Sequence, residues 1–362
     1  MAKPRRDPMD WIKTRRRKRK ALLILEIIFF LLLLVGSYIF SRAGLIKYKE
    51  IKTEKNEVSE HVKQAMSGYT NIALFGVDNR TVGNYEMGNS DAILIASINN
   101  STKEVRLISV YRDTYLDVNG QLLFRKCNYA YNHGGVTSAV NMLNRNLDLE
   151  INDYATVDFY ALADAVDAVG GIDVNIDSKL MAQEINELQI EIFNVTGKKA
   201  DDLNVGQQHV NGAQALAYAR VRHLEGGDYA RAMRQREVVS KMIAKAKTMN
   251  VAQLDHLITS VFPHIDTSLS LPDMISMATA MKEYNLVDTS SFPKDFAERN
   301  LPNGIGWVEI PTTLEANVKK LHEYLFQDQD YTPSATVSKI SKQISKVTGT
   351  TEKSTQSQDN QY

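Results

Sequence analysis

The chain has 362 residues, and its 43 basic and 43 acidic side chains give a formal net charge of zero. With 43% hydrophobic and 24% charged residues it has a globular composition, which rules out a wholly disordered or collagen-like chain. The single cysteine, Cys127, rules out an intramolecular disulfide framework and a cysteine-rich zinc module.

The first forty residues carry an uneven charge that predicts membrane topology. Residues 1–20 contain ten basic and two acidic side chains, a net charge of +8, so the remaining chain sums to −8. Residues 21–40 read ALLILEIIFFLLLLVGSYIF, with Glu26 as their one charge, and a helix of this length spans about 30 Å, one bilayer core. Because basic clusters before a span stay in the cytoplasm, we expect a signal-anchor in the cell membrane. The N-terminus is then cytoplasmic and the chain after residue 40 extracellular.

Two other interpretations of this end are open. The apolar run could be a cleaved signal peptide with a weak site at 41–43, although it is longer than the usual run of roughly 7–15 residues. The basic run could be a DNA-binding arm, although next to a span it is typical of a topology signal that contacts anionic membrane lipid. We therefore expect an uncleaved anchor and no nucleic-acid partner.

The rest of the chain divides into three parts by composition. The polar residues 41–68 predict an extracellular stalk. Residues 69–330 contain the alternating apolar runs of a folded domain. Residues 331–362 are rich in Ser, Thr, Lys and Gln, which predicts a flexible tail without a core of its own.

The folded domain opens on a predicted β-meander with a short hairpin turn between its second and third strands. Strands interleaved with helices then indicate an α/β fold, an α+β sandwich with a central mixed sheet flanked by helices. The predicted strands are Asn71–Val77, Asp91–Ile98, Val105–Val110, Tyr154–Phe159 and Ile172–Ile176, with residues 213–222 as strand or helix. The predicted helices are Val136–Leu147, Tyr160–Val169, Asp228 (as N-cap) to about Lys247, and segments near 251–261, 271–284 and 313–326.

Charged residues follow the meander strands at the ends that antiparallel pairing brings together. Asp78 and Arg80 follow the first strand, Asp91 opens the second, and Arg112 and Asp113 follow the third. Two carboxylates without a Cys or His pair suit a hard cation such as Mg²⁺, with Mn²⁺ as an alternative. The other interpretation is that these are solvated loop charges.

A second cluster places five arginines within seventeen residues. The two-residue spacing of Arg220 and Arg222 places both on one face if this segment is extended. Arginine favours bidentate recognition of phosphate or carboxylate, although a solvated helix face balanced by nearby acidic residues is the alternative. With the carboxylates, this pattern predicts a phosphate-bearing ligand. The cluster comprises Arg220, Arg222, Arg231, Arg234 and Arg236, with Gln235 among them.

Several motifs of common enzyme classes are absent from the sequence. It contains no Walker A loop, no G-x-S-x-G nucleophile elbow and no His-Glu-x-x-His motif. Its seven histidines are scattered, which favours structural roles for them.

Taken in order, six segments resemble the LytR–CpsA–Psr (LCP) family over about residues 70–240. The resemblance implies a Mg²⁺-dependent phosphotransferase of Gram-positive cell wall biogenesis, with residues 69–330 as its catalytic domain. Such a protein moves an anionic glycopolymer, wall teichoic acid or capsular polysaccharide, from an undecaprenyl-pyrophosphate carrier to peptidoglycan. The segments are NIALFGVDNR, NSDAILIASI, LISVYRDTYL, NYAYNHGGV, DFYALADAVDAVGGIDV and ALAYARVR…GDYARAMRQR.

The resemblance also implies roles for individual residues. Tyr111 and Ala92 depart from the family's frequent Pro and Thr without removing a charge. The polyprenyl chain would need an apolar groove, which we expect between the sheet and the helices at 136–147 and 159–169. The implied roles are metal binding for Asp78 and Asp91, catalysis for Arg112, and pyrophosphate binding for Arg80, Arg112, Arg220, Arg222, Arg231 and Gln235. The resemblance does not determine the base that accepts the hydroxyl proton, and Asp91 and Asp113 are our two candidates for it.

Two other functions are open for this chain. A membrane-bound transcriptional attenuator of cell-envelope genes would need its arginines on the same side of the membrane as DNA, which the predicted topology opposes. A non-catalytic polyprenyl-phosphate or glycan binder would keep the arginines but would not need both carboxylates.

Overall fold

The computed structural model describes residues 47–54, 58–77 and 88–354. The predicted cytoplasmic end, the predicted span and the site residues Asp78 and Arg80 lie outside these ranges. Within them, no helix is both long enough and apolar enough to cross a membrane.

The described chain contains thirteen strands, ten α-helices and two short 3₁₀ helices, at Phe262–His264 and Glu352–Ser354. The strands are β1 (Lys47–Tyr48), β2 (Tyr69–Val77), β3 (Ser90–Asn99), β4 (Glu104–Val110), β5 (Tyr115–Asp117), β6 (Phe124–Lys126), β7 (Asp153–Asp158), β8 (Ile172–Ile176), β9 (Gly206–Val210), β10 (Ile265–Thr267), β11 (Asn285–Phe292), β12 (Phe296–Leu301) and β13 (Gly306–Pro311). The helices are α1 (Glu60–Met66), α2 (Asn128–Leu147), α3 (Phe159–Ala168), α4 (Lys179–Thr196), α5 (Gly212–Arg220), α6 (Gly227–Ala246), α7 (Val251–Val261), α8 (Leu271–Thr279), α9 (Leu314–Phe326) and α10 (Ala335–Thr348).

A seven-stranded mixed sheet forms the centre, in the order β1-β10-β7-β2-β3-β4-β11. The meander β2–β3–β4 is antiparallel as predicted, while β7 runs parallel to β2 and β11 parallel to β4. The long apolar runs of β2 and β3 are explained by burial on both faces of the sheet, because a strand covered on two sides needs no polar alternation.

The two faces of the sheet are covered by different sets of helices. On one face, Ile93 and Ile95 pack into the main core with α2, α9, α10 and the hairpin β12–β13. On the other face, Leu74 and Leu94 line a cavity that is bounded by α3 to α7. Because neighbouring strand residues point to opposite faces, one strand serves both sides.

The predicted flexible tail is wrong for residues 335–348, which form helix α10. Ser334 caps the helix, with its Oγ accepting from the Val337 amide at 3.1 Å. Val337, Ile340 and Ile344 are buried in the main core. These apolar residues recur at helical spacing, so the helix buries one face although the average composition of the segment is polar.

The predicted stalk is also wrong for the part of 41–68 that is described. Ile51, Val58, Val62 and Met66 all pack into the main core, and Ser59 caps α1. The predicted domain limits of 69–330 are therefore too narrow, since core residues extend before and after them. A few apolar residues are enough to attach each flanking segment to the domain, because they pack into a core that the rest of the domain forms.

Residues 213–222 do not form a strand. Asn211 and Gln214 make a reciprocal capping box that starts α5, and the helix ends at Arg220. Arg222 lies in the loop beyond it, so the two arginines do not share a strand face. Asp228 is not an N-cap either: α6 is capped by Gly226, and Asp228 stands in its first turn.

The strands β11, β12 and β13 were not predicted. The turn between β12 and β13 contains Asn303-Gly304, and both residues have positive φ. An Asn-Gly pair between two strand-like segments is a strong sequence signal for a hairpin.

Candidate active site

Arg112 lies among three carboxylates at one end of the meander. Antiparallel pairing of β3 and β4 brings Asp91 to it, with Arg112 Nη1 donating to Asp91 Oδ1 at 2.9 Å. Nη2 donates to Asp228 Oδ2 at 3.2 Å, and Nε lies 3.6 Å from Asp113 Oδ2. Burial alone would lower the pKa of Arg112, but the three carboxylates outweigh it and raise that pKa, so the group stays charged.

Arg231 completes this network from helix α6. Its Nη2 donates to the backbone carbonyl of Asp91 at 3.1 Å, and its Nη1 lies 3.4 Å from Asp228 Oδ1. Burial and the neighbouring charge of Arg112 lower the pKa of Arg231. Burial would raise the pKa of Asp228, but Arg231 and Arg112 outweigh it and lower that pKa. Asp228 therefore joins two arginines as an ionised bridge in the first turn of a helix, where a negative charge is favoured.

Asp113 contacts Arg112 and is itself bound by two other groups. Lys126 Nζ lies 3.0 Å from Asp113 Oδ1, and the Glu309 amide donates to the Asp113 carbonyl at 3.1 Å. Burial raises the pKa of Asp113 in spite of Arg112 and Lys126. Burial also raises the pKa of Glu309 well above its ordinary value, and Asp113 adds to this rise.

A cavity of about 560 Å³ opens beside this network, between the sheet and helices α3 to α7. Its walls are apolar, with side chains such as Leu162, Leu188 and Met242. The expected groove does border α3, but α2 covers the opposite face of the sheet. A cavity with apolar walls and a charged end fits an amphiphile that has an anionic head. The charged and polar side chains in its lining are Asp91, Asp158, Glu191, Arg220, Arg222, His223, Arg231 and Gln235.

The loop that carries Arg222 is fixed by Arg234, which belongs to the predicted cluster, and by Glu184, which was not predicted. Arg234 Nη2 donates to the Val221 carbonyl at 2.6 Å. On the other side of the same peptide unit, the Arg222 amide donates to Glu184 Oε1 at 2.9 Å, and the His223 amide adds a bond of 3.1 Å. The Val221–Arg222 peptide is thus held at both its oxygen and its nitrogen, which limits how Arg220 and Arg222 can turn.

The sequence offered no local signal for Glu184, because it lies 38 residues from Arg222 on another helix. The five arginines of the cluster separate by role. Arg220, Arg222 and Arg231 line the cavity, Arg234 holds the backbone, and Arg236 is buried.

The carboxylates offer oxygen ligands of the kind that Mg²⁺ prefers. Among the described residues there is no group of three or more His, Cys, Asp or Glu arranged to hold a metal. Asp91 and Asp228 are nevertheless brought together by Arg112. Asp228 Oδ1 is buried, and within the described part of the chain it lies 3.4 Å from Arg231 Nη1 but makes no hydrogen bond. The predicted metal ligand Asp78 lies outside the described residues, as does Arg80.

The fold and the site together define a mixed α/β protein with arginines in the lining of a largely apolar cavity. The model of the LytR_cpsA_psr family matches residues 34–323, and the chain belongs to that family. The resemblance seen in the sequence is thereby confirmed.

Two relatives show what the chain is similar to in sequence. It is 33% identical over 229 residues to the polyisoprenyl-teichoic acid–peptidoglycan teichoic acid transferase TagU of Enterococcus faecalis, covering 63% of this chain and 69% of the relative. It is 27% identical over 286 residues to the transferase TagV of Bacillus subtilis, covering 77% of this chain and 68% of the relative.

Solved structures confirm the mixed α/β fold. The crystal structure of B. subtilis TagV superposes with a TM-score of 0.58 at 25% identity, covering 73% of this chain and 98% of that one. The LytR-CPS2A-psr family protein YwtF (TagT) with bound octaprenyl pyrophosphate lipid gives a TM-score of 0.54 at 21% identity, covering 79% and 98%.

Proposed function

We propose that this protein is a transferase that moves an anionic glycopolymer of the teichoic acid type from a polyprenyl-pyrophosphate carrier to peptidoglycan. The observation that carries the proposal is the presence of Arg220, Arg222 and Arg231 together in the lining of a largely apolar cavity. The names of the relatives and the lipid bound to TagT support the same assignment.

In this proposal the two ends of the donor are recognised separately. The polyprenyl chain enters the apolar cavity, where it is removed from water. The pyrophosphate lies beside Arg220, Arg222 and Arg231, and these arginines and Gln235 donate hydrogen bonds to its oxygens. Arg80 would add a further contact from outside the described residues.

Arg112 and the carboxylates carry out the transfer itself. A hydroxyl of the acceptor attacks the sugar-proximal phosphorus, a new P–O bond forms, and the P–O bond of the pyrophosphate bridge breaks. Polyprenyl phosphate leaves with the electron pair of that bond, and Arg112 with Arg231 stabilises the developing charge. Asp91 lines the cavity and Asp113 does not, which favours Asp91 as the acceptor of the hydroxyl proton.

We further propose that Mg²⁺, or Mn²⁺ in its place, is held by Asp78 and Asp91 together with Asp228. Such an ion would neutralise pyrophosphate charge when it is bound. The carboxylate oxygens of Asp91 and Asp228 support this assignment, as does the buried Oδ1 of Asp228, which makes no hydrogen bond within the described part of the chain.

Three finer features also belong to the proposal. The carrier is undecaprenyl pyrophosphate, and the polymer is wall teichoic acid or a capsular polysaccharide. The protein is anchored in the membrane of a Gram-positive cell by residues 21–40, with its catalytic part outside. The apolar span and the net charge of +8 before it support this orientation.

The test uses the full chain in detergent with a polyprenyl-pyrophosphate-linked glycopolymer, Mg²⁺ and peptidoglycan, and it measures the release of polyprenyl phosphate. Wild type should turn over, and Arg112→Ala should lower kcat by about 100-fold or more, as expected for loss of one transition-state donor. The matched control is Arg125→Ala, because the Arg125 side chain donates to the carbonyl of its neighbour Phe124 and does not line the cavity. Absence of wild-type turnover, or turnover by Arg112→Ala at the wild-type rate, would contradict the proposal. Binding without turnover would favour a non-catalytic binder.

A further inference from the structure

The hairpin β12–β13 has two different faces. On one face, Val308 and Ile310 are buried in the main core. The opposite face, which we call the outer face, comprises the cross-strand pairs Phe296–Pro311, Glu298–Glu309 and Asn300–Trp307. Strand alternation places these residues together, because every second side chain of a strand points to the same side.

One end of the outer face, at Phe296 and Glu309, contacts residues of the candidate active site. The Phe296 ring contacts the ring of Tyr111, the residue before Arg112, with centroids 5.8 Å apart. The Glu309 amide donates to the Asp113 carbonyl at 3.1 Å. Trp307 lies two residues from Glu309 on the same strand, about 7 Å further out. The face therefore runs from the Arg112 network outward into solvent.

The outer end of this face exposes a large aromatic surface. Trp307 is 63% exposed, and Asn300, its direct cross-strand neighbour, and Glu298 are exposed beside it. The one cationic residue of the two strands, Arg299, points to the other side and donates to the Thr348 carbonyl at 2.5 Å. A flat indole flanked by an amide and a carboxylate suits a polyhydroxylated ring, whose apolar face can stack while its hydroxyls form hydrogen bonds. It does not suit a phosphate-rich chain.

We propose that the outer face of this hairpin is a subsite for the saccharide acceptor. A sugar ring of the acceptor glycan stacks on Trp307 and hydrogen-bonds to Asn300 and Glu298. The strand then directs the neighbouring sugar, with its reactive hydroxyl, towards Arg112. This inference rests on the proposed function, because only a transfer reaction brings a second, saccharide substrate to this end of the sheet.

The fluorescence of Trp307 itself provides the first measurement. The chain has two tryptophans, Trp11 and Trp307, so in the full chain carrying Trp11→Phe the emission comes from Trp307 alone. Addition of a soluble, uncrosslinked peptidoglycan glycan-strand fragment should change that emission saturably. An equal concentration of free teichoic acid polymer should not.

The second measurement is the acceptor kinetics of variants. Trp307→Ala should raise KM for the glycan acceptor about tenfold, with kcat at saturating acceptor within about twofold, since a lost aromatic anchor weakens binding rather than chemistry. Affinity for octaprenyl pyrophosphate and the Tm should stay at wild-type values. Trp307→Tyr should retain most of the acceptor affinity, and the matched control Val347→Ala, another exposed apolar residue at 53%, should behave as wild type.

The outcomes separate the subsite from the transferase activity. Normal turnover with an unchanged acceptor KM in Trp307→Ala and no emission change would overturn the subsite and leave the transferase intact. A glycan-dependent emission change without turnover by wild type would support the subsite and overturn the transferase. An emission change with teichoic acid but not with the glycan would also overturn the subsite.

Discussion

Arg112 shows how one guanidinium can organise several charges. Its three nitrogens face three different carboxylates, of Asp91, Asp113 and Asp228. The planar fork of arginine suits this arrangement, because each nitrogen projects in its own fixed direction. The network keeps the side chain aimed at the cavity end of the sheet before any ligand binds, so little reorganisation is needed when the phosphate arrives.

We therefore expect Arg112→Lys to lower kcat/KM by about 10- to 100-fold, although the charge is kept, because a lysine is a point charge that cannot contact Asp91 and Asp228 together. Polyprenyl phosphate release measures the effect, and circular dichroism checks the fold. Arg125→Lys is the matched control. Full activity of Arg112→Lys would show that charge alone suffices.

Glu184 should matter for donor affinity although it is not a ligand in the proposal. Glu184→Ala frees the amides of Arg222 and His223, so the arginine loop should loosen and the Kd for octaprenyl pyrophosphate should rise about tenfold. Glu184→Gln keeps an accepting oxygen and should retain most of the affinity. Isothermal titration measures Kd.

The control for this prediction is Glu187→Ala, an exposed residue on the same helix. A fall in Tm for Glu184→Ala with an unchanged Kd would indicate a structural role only. Rescue by the glutamine variant is the result that a positioning role requires.

Helix α10 shows that an element can depend on its neighbours for stability. Its sequence is polar on average, yet three apolar residues at helical spacing are buried in the main core, where the helix packs on α2 and α9. Its start is anchored by Asp148, which accepts from the Ser334 amide at 2.8 Å and from the Tyr331 hydroxyl at 2.5 Å. Isolated helices of this length are marginal in water, so tertiary packing provides most of its stability.

Ile340→Ala should therefore lower the free energy of unfolding by about 2–4 kcal/mol, because Ile340 is 1% exposed and its loss leaves a cavity. Val347→Ala, on the exposed face of the same helix, should change it by less than about 0.5 kcal/mol. Urea denaturation of both variants measures the difference. Equal, small effects would restore the flexible-tail interpretation.

The central sheet divides the described molecule into a densely packed side and a side with a large cavity. On the packed side His322 links distant parts of the chain: its Nε2 contacts the Leu147 carbonyl at 2.9 Å, and its ring stacks on Tyr331 at 3.9 Å. Burial lowers the pKa of His322 to about 4. The histidine is therefore neutral in the folded protein and sensitive to acid.

This burial predicts a pH dependence of stability. The unfolded chain binds a proton at His322 near pH 6.5, whereas the folded chain does so only near pH 4, so stability is fully present above about pH 6.5. It falls as the pH drops from 6.5 towards 4, by on the order of 3 kcal/mol in total. Urea denaturation at pH 7 and pH 4.5 measures this change.

The comparison for this prediction is between two histidine variants. His322→Phe should remove most of the slope between pH 6.5 and 4.5, whereas His133→Gln, at an exposed histidine, should keep it. A slope that is the same in wild type and in His322→Phe would show that other groups cause the acid sensitivity.

Much of the sheet and part of the site followed from the amino-acid pattern. The β-meander was predictable because hydrophobic periodicity is local and short turns impose antiparallel pairing. That pairing alone places Asp91 beside Arg112, as the bond of 2.9 Å shows. The family resemblance, which rests on ordered short segments, was likewise predictable from the chain.

Other features arise only when distant parts of the chain meet. Asp228 joins Arg112 across 116 residues, Glu184 holds the Arg222 loop from another helix, and the outer face of β12–β13 reaches the site through Asp113. Residues 335–348 likewise form a packed helix because other parts of the chain provide the core against which it lies. Local patterns specify which face of an element is apolar, but the partner of that face is chosen by packing of the whole chain, and no short stretch of sequence contains that information.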